Sequence, residues 1–179
     1  IILGLFEAQM GTLEVDVQII TKQNSRAWQL SIGYVPQEIY LSDDTVSANI
    51  AFGKKQNEIN QKDIERASKI ANLHDFVINE LPKKYDTFIG GEKQRIGIAR
   101  AMYHNPKVLI LDEATSALDN QTEKFIMESV NNLGKNKTII IVAHRLSTVK
   151  NCDIIFKLEN GNLVGQGTFD ELIGTKERY

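Results

Sequence analysis

The sequence has little of several features that mark common protein classes. Cys152 is the only cysteine, so no disulfide can form within the chain and a reducing compartment is compatible with it. The longest apolar run, Ile139–Ala143, is far shorter than the roughly 20 residues that a membrane-spanning helix requires. Lysines and acids are scattered, and no basic stripe of the kind that binds nucleic acid is visible. We therefore expect no nucleic-acid partner, and membrane contact only through a partner protein.

What the chain does have is enough apolar content for a core. Of its 179 residues 42% are hydrophobic, which suffices for one folded domain of this length. The formal net charge of −2 is small, and the charged residues do not cluster on one face.

The most informative segment is an apolar run that ends in two adjacent carboxylates. The run covers Val108–Leu111, and Asp112 and Glu113 follow it. Such a run is typical of a central strand in a parallel sheet, and ligands of these sheets bind at the carboxyl ends of the strands. Because side chains alternate along a strand, one acid can hold Mg²⁺ while the other prepares water for attack on a phosphate. The alternative is a strand that happens to end in an acidic turn.

Hydrophobic periodicity predicts an alternation of strands and helices. Strands are predicted at residues 12–17, 31–35, 108–111, 138–143, 154–158 and 162–166, the fourth of them buried. Helices are predicted at residues 45–50, 61–73, 74–81, 121–133 and 169–173. Glu159-Asn160-Gly161 is typical of a hairpin turn.

Further motifs flank the carboxylate strand in a fixed order. In chain order they are Tyr34–Gln37, Gly91–Ala101, Val108–Glu113, Ser116–Asp119 and Ile141–Arg145. They resemble the Q-loop, signature helix, Walker B strand, D-loop and switch-histidine loop of the nucleotide-binding domains of ABC transporters. The resemblance extends over nearly the whole chain. It implies an α/β, P-loop NTPase-like fold, in which a mostly parallel sheet carries an antiparallel β element and an inserted helical subdomain.

The resemblance also implies a single ATPase domain with two lobes. The core lobe would comprise residues 1–37 and 105–179, and the helical subdomain would comprise residues 38–104. In transporters of this type the helical subdomain meets the membrane domain.

Catalytic and metal-binding roles follow from the matched positions. Glu113 would orient or deprotonate the attacking water, and His144 would donate to the γ-phosphate. Asp112 would help to hold Mg²⁺, and Gln37 would bind a Mg²⁺ ligand or the water. The implied cofactors are ATP and Mg²⁺.

A second group of residues would act across a dimer of ATPase domains. Gly91 and Glu92 begin the signature helix, whose N-terminal amides would face a phosphate bound by the other subunit. Ser116 and Asp119 belong to the D-loop, and Asp119 would communicate between the two nucleotide sites. A buried cap on the helix at Gln121 is the structural alternative for Asp119, and the two roles are compatible.

The sequence departs from the family at the phosphate loop. No G-x-x-x-x-G-K-[ST] segment occurs in it, although that loop supplies the amides, the lysine and the hydroxyl that hold a triphosphate. In the family this loop precedes a helix similar to residues 1–6. We therefore expect the chain to begin inside that helix, and we expect the chain alone to bind ATP poorly.

A second departure concerns the signature. Residues 85–90 resemble the segment before the signature loop, and residues 91–95 resemble its far side. We expect a short glycine-rich stretch with the signature serine to be absent between them. The alternative is a degenerate signature in which Phe88 and Ile89 replace Leu and Ser and no hydroxyl reaches the terminal phosphate.

Residues 37–53 resemble exporters, whose ATPase domain usually follows membrane helices in the same polypeptide. The whole is particularly similar to bacterial flippases of lipid-linked oligosaccharides, although lipid, peptide and drug exporters share much of the pattern. The implied function is an ATPase motor that closes as a homodimer on ATP at the cytoplasmic face of the inner membrane and drives a transmembrane domain. The alternatives are a soluble ABC-type ATPase of DNA repair or translation, and a catalytically inactive interaction fragment.

Overall fold

The computed structural model describes residues 1–73, 88, 90–115, 117–133 and 137–172. Helices in these residues are α1 (Ser25–Leu30), α2 (Val46–Ile50), α3 (Gln61–Ile70), α4 (Gly90–Tyr103), α5 (Asn120–Leu133), α6 (Leu146–Val149) and α7 (Phe169–Leu172). Strands are β1 (Glu14–Val15), β2 (Gln18–Ile19), β3 (Ile32–Val35), β4 (Val108–Asp112), β5 (Thr138–Val142), β6 (Ile155–Glu159) and β7 (Asn162–Gly167). The helix predicted at residues 74–81 lies outside the described residues.

The chain divides into two compact units, Ile1–Ile140 and Ile141–Tyr179. This division is a single break in the chain and does not test the two lobes expected from the sequence. Those lobes stay a prediction.

A parallel sheet is the centre of the first unit, as predicted. Its strand order is β3-β4-β5, and β3 pairs in parallel with β4, with Ile32 opposite Val108 and Val35 opposite Leu111. The first four residues of β4 are all buried, which confirms the prediction of a central strand. The prediction that β5 is buried is wrong: its residues are half-buried or exposed. Within the described sheet β5 is an edge strand, with a neighbour on one side only.

The two faces of this sheet pack against different layers. On one face Trp28 of α1 joins Val108 and Ile110 in a buried cluster, and its indole N–H donates to the carbonyl of Ile2 at 2.7 Å. On β3, Gly33 brings helix α4 unusually close. A Cβ on Gly33 would lie 2.6 Å from the carbonyl oxygen of Ala101, so only glycine permits this approach. Strand β4 is therefore covered on both faces, as the central strand of a parallel sheet requires.

The helices after β3 form a layer around α4. Helix α3 begins at its N-cap Asn60, whose side chain accepts from the amide of Lys62, and it packs against α4. The positions predicted to face inward are all buried: Ile64, Ala67, Ile70, Ala71 and Leu73. The 3.6-residue period therefore identified the packed face of this helix correctly.

Helix α4 also contacts the segment that follows β3. Gly97 lies in the middle of α4, and a Cβ there would come within 2.8 Å of Cγ1 of Ile39. Ile39 thus fills the space that the missing side chain leaves. Because Ile39 is two residues from Gln37, this contact ties the end of β3 to α4.

An antiparallel hairpin, β1 and β2, precedes α1. Val15 pairs with Gln18, so Asp16 and Val17 form a two-residue turn. Both have positive φ, 48° and 67°, which is the geometry of a type I′ turn and favours Asn-Gly. Val17 is 90% exposed, so no packing offsets the strain of a β-branched residue in this region.

The second unit contains a longer antiparallel hairpin. Strands β6 and β7 pair from Ile155–Gly167 to Glu159–Asn162 and are joined by Asn160 and Gly161. These two residues have φ of 49° and 77°, which confirms the predicted turn. Helix α7 follows, as predicted.

Replacing Val17 should stabilise the protein. We expect Val17→Gly to raise the free energy of unfolding by about 1 kcal/mol, because relief of left-handed strain exceeds the added entropy of the unfolded chain. Urea denaturation measures the change. The control is Val164→Gly in strand β7, where the backbone is extended and glycine should lower stability. A Val17→Gly protein no more stable than the unaltered chain would contradict the type I′ turn.

The contact between Gly97 and Ile39 predicts energetic coupling. Gly97→Ala gains about 1 kcal/mol of helix propensity but forces Ile39 to move, at a cost of about 1–3 kcal/mol. In the Ile39→Ala background, Gly97→Ala should no longer carry that cost. We therefore expect a coupling free energy of about 1 kcal/mol in a double-mutant cycle of unfolding free energies. For the control, Gly91→Ala with Ile39→Ala, we expect simple additivity, since a Cβ at Gly91 meets only atoms at 3.5 Å and beyond. Additivity in both cycles would contradict the contact.

Candidate functional site

The two adjacent carboxylates mark the carboxyl end of β4. Asp112 is the last residue of the strand, and Glu113 follows it with φ of 49°. A left-handed conformation costs a non-glycine residue about 1–2 kcal/mol, and such strain is concentrated at functional sites. Because the backbone leaves the strand conformation at Glu113, the two carboxylates have different surroundings although they are neighbours in sequence.

Gln37 contacts the second of these carboxylates. Its amide Nε2 donates to Oε2 of Glu113 at 3.0 Å. Gln37 lies two residues beyond the end of β3, and Val35 at that end pairs with Leu111 of β4. The parallel register therefore brings together two residues that the sequence predicted as catalytic and that lie far apart in the chain.

Tyr34 contacts the first carboxylate, a contact that sequence reasoning missed. Its hydroxyl donates to Oδ2 of Asp112 at 3.1 Å. Tyr34 pairs with Ile110, and Asp112 is two residues further along β4, on the same face, within reach of a long side chain. Partial burial raises the pKa of Tyr34 above its ordinary value, and the hydrogen bond and negative charge of Asp112 add to this. The signal in the sequence was the tyrosine's place on a strand paired with the carboxylate strand.

The loop after Glu113 is anchored to helix α4. Gln94 is buried, and its Oε1 accepts from the amide of Ala117 at 3.0 Å. A Cβ at Gly91, in the first turn of α4, would lie 3.5 Å from the carbonyl oxygen of Ala117. The predicted D-loop and the start of the predicted signature helix are therefore adjacent. Gln94 was not predicted; a glutamine among the apolar positions of α4 was the available signal.

The loop after Glu113 also contacts helix α5. Thr115 donates through Oγ1 to Oε1 of Glu123 at 3.1 Å, and both side chains are buried. Because a buried carboxylate needs a partner, this bond fixes the start of α5 against the loop.

Asp119 caps helix α5. Its Oδ1 accepts from the amides of Gln121 at 3.1 Å and Thr122 at 3.0 Å, and the Thr122 hydroxyl donates to Oδ2 at 2.6 Å. The Thr122 hydrogen bonds, the side-chain one first, hold the pKa of Asp119 below its usual range. The expected cap at Gln121 is confirmed, but the side chain is exposed and not buried, because it sits at the open first turn of the helix. Its predicted role between nucleotide sites stays a prediction.

Glu92, His144 and Ser116 are the remaining residues of the predicted site. Glu92 is half-buried in the first turn of α4, which runs without interruption from Gly90 to Tyr103. His144 is exposed and belongs to the second unit, two residues after β5, so a place beside Glu113 stays a prediction. Ser116 lies outside the described residues. The stretch expected to be missing before Gly91 also stays a prediction.

The residues at the end of β4 fit a magnesium–nucleotide site by their chemistry. The carboxylate oxygens of Asp112 and the amide oxygen of Gln37 are the hard ligands that Mg²⁺ prefers, and the Glu113 carboxylate beside them can accept a proton from water. In the described part of the chain, no group of three or more His, Cys, Asp and Glu could hold a metal ion. Mg²⁺ bound to a nucleotide needs only one or two protein carboxylates and completes its shell with phosphate and water.

None of the helices that the structure describes combines the length and apolar content that a membrane crossing requires.

Comparison with known proteins gives a consistent result. The family model described as ABC transporter matches residues 1–116. Mouse ATP-binding cassette sub-family B member 5 is 40% identical over 98% of this chain, and the ABC multidrug transporter mdr1 of Aspergillus fumigatus is 40% identical over 97% of it. The chain spans only 14% and 13% of the lengths of these curated relatives.

A solved structure extends the comparison to the fold. The structure of a bacterial Atm1-family ABC exporter with ATP bound matches 97% of this chain, with a TM-score of 0.86 and 35% sequence identity, and this chain spans 32% of that one. The predicted fold class is therefore confirmed. With the family match over residues 1–116, these likenesses show that the chain belongs to the ABC transporter family.

Proposed function

We propose that this chain is the ATP-hydrolysing motor domain of an ABC exporter. The observation that carries the proposal is the pair of carboxylates at the end of β4, each bound by a neutral donor from the β3 side. Asp112 accepts from Tyr34 at 3.1 Å and Glu113 accepts from Gln37 at 3.0 Å. Neutral donors orient the carboxylates and leave their negative charge in place for a cation and for a proton.

Hydrolysis assigns a separate task to each carboxylate. Glu113 accepts a proton from the attacking water while the water oxygen bonds to the terminal phosphorus of ATP. The bond between that phosphorus and the bridging oxygen breaks, and ADP leaves with that oxygen. Gln37 holds the Glu113 carboxylate and orients it toward that water. Asp112 would hold Mg²⁺, which when bound neutralises charge on the phosphate oxygens.

The signature and switch residues would complete the site. Gly91 and Glu92 lie in the first turn of α4, whose amides favour an anion. Asp119 and Ser116 of the predicted D-loop would act across the dimer. His144 would donate a hydrogen bond to the terminal phosphate. In this proposal two copies of the domain meet, so that α4 of one faces the nucleotide of the other.

The partners follow from the same family. We propose a transmembrane domain, in the natural protein part of the same polypeptide, with the motor at the cytoplasmic face of the inner membrane. The relatives named multidrug transporters support export, and the cargo would be a lipid-linked oligosaccharide, a lipid, a peptide or a drug. A soluble ATPase of DNA repair or translation is not favoured by these relatives.

A catalytically inactive interaction fragment is the second candidate, and the relative named a multidrug transporter does not favour it. The sequence contains no G-x-x-x-x-G-K-[ST] loop, which the family uses to hold the triphosphate. ATP binding and turnover therefore need to be measured on this chain and on the longest polypeptide in which it occurs.

Glu113→Gln tests the proposed base. The amide is isosteric but cannot accept the proton, so we expect ATP turnover to fall by at least about 100-fold with little change in ATP affinity. Phosphate release and nucleotide binding are the measurements. The matched control is Glu65→Gln on the exposed side of α3, which should turn over normally.

Two results would count against the proposal. Glu113→Gln with turnover within about twofold of the unaltered protein would remove Glu113 from the base role. No ATP binding and no turnover, in either the chain or the longest polypeptide, would favour the interaction fragment.

A further inference from the structure

Tyr34 is the residue of the site that no catalytic role yet explains. It lies on β3 as a residue that is 38% exposed, and its hydroxyl donates to Oδ2 of Asp112 at 3.1 Å. Its partner in the sheet is Ile110, which is buried in the cluster with Trp28. The base of the ring is therefore held by strand pairing, while the hydroxyl reaches the carboxylate at the open edge.

Asp112 needs such a support because its own strand ends with it. Asp112 is the last residue of β4, and the backbone turns into the left-handed region at Glu113. A carboxylate at a strand end can rotate, and each rotation lost on binding a cation lowers the affinity. A hydroxyl held at a fixed distance by the neighbouring strand removes part of that freedom in advance.

The stereochemistry of the contact suits a supporting role. The phenol donates to one carboxylate oxygen, Oδ2, and a carboxylate has lone pairs for further partners on both oxygens. A neutral donor also leaves the carboxylate its charge, unlike an arginine or lysine, whose positive charge would compete with the cation. Such outer partners of metal ligands typically change metal affinity by about 10–100-fold when they are removed.

We propose that Tyr34 is a positioning residue that holds the Asp112 carboxylate in the orientation in which it receives a divalent cation. The inference rests on the proposed function, because Asp112 is taken as the cation-binding carboxylate. Tyr34 touches neither the water nor the phosphate in this proposal and acts only through Asp112.

The test follows divalent cation binding directly, apart from turnover. Mn²⁺ serves as the probe for Mg²⁺, because it broadens the NMR signals of nearby amides, and the Asp112 amide reports its arrival. The uniformly ¹⁵N-labelled chain is titrated with Mn²⁺, alone and with ATP. For Tyr34→Phe we expect the Mn²⁺ concentration for half-maximal broadening to rise about fivefold, below the usual range for such partners because the contact is partly exposed.

Two variants control for effects on folding. Tyr40→Phe removes the same atom from a tyrosine that is 70% exposed, and the titration should match that of the unaltered chain. Tyr34→Trp keeps a large ring with an N–H donor, and it should recover part of the lost affinity. The amide spectrum of each variant without Mn²⁺ shows whether the variant is folded. If Tyr34→Phe does not fold, the Tyr34→Trp titration decides the test.

Each outcome decides the inference. A fivefold shift in Tyr34→Phe, absent in Tyr40→Phe, supports it; an unchanged titration overturns it, as does an Asp112 amide that Mn²⁺ never broadens. ATP turnover, measured on this chain and on the longest polypeptide that contains it, separates this inference from the proposed function. If ATP is hydrolysed but the Mn²⁺ titration of Tyr34→Phe is unchanged, only the role of Tyr34 is rejected. If the titration of Tyr34→Phe shifts but neither the chain nor the longest polypeptide hydrolyses ATP, only the ATPase function is rejected.

Discussion

The parallel pairing of β3 with β4 is the constraint on which the candidate site depends. The register sets Tyr34 opposite Ile110 and Val35 opposite Leu111, so the ends of the two strands meet at one edge. From this single alignment follow both hydrogen bonds to the carboxylates, from Tyr34 to Asp112 and from Gln37 to Glu113. A shift of β3 by one residue would turn Tyr34 to the opposite face of the sheet and would separate it from Asp112.

The same alignment explains where the structure accepts close contacts and strain. Gly33 allows α4 to lie against β3, and Gly97 allows Ile39 to lie against α4. Glu113 has a left-handed backbone next to a fully extended strand. These contacts hold both β3 and Ile39 against α4, and Gln37, which lies between them in the chain, donates to Glu113 from a supported segment. Backbone strain of this kind, here at the proposed catalytic Glu113, persists only where the surrounding packing holds it in place.

The sequence predicted those parts that depend on period and on residue type. The apolar run before Asp112, the inward face of α3 and the Asn160-Gly161 turn are all local patterns, and the structure has each of them. The pairing of Tyr34 with Asp112 could not be predicted, because it depends on the register of two strands that are distant in sequence. The bond from the Ala117 amide to Gln94 was missed because it joins a loop to a helix that is distant in sequence. Strand β5 was predicted as buried from its composition, but burial depends on how many strands flank it, which composition does not encode.

The central claim is that the two neighbouring carboxylates do different work, Asp112 at the cation and Glu113 at the water. The most direct measurement is a crystal structure of the longest polypeptide containing this chain, with Mn²⁺ and a non-hydrolysable ATP analogue, read by the anomalous signal of manganese. The account predicts the manganese peak on the Asp112 side, bound directly or through one water, with the Glu113 carboxylate facing the terminal phosphate and outside the metal shell. A peak coordinated by Glu113, or one remote from the end of β4, would contradict it.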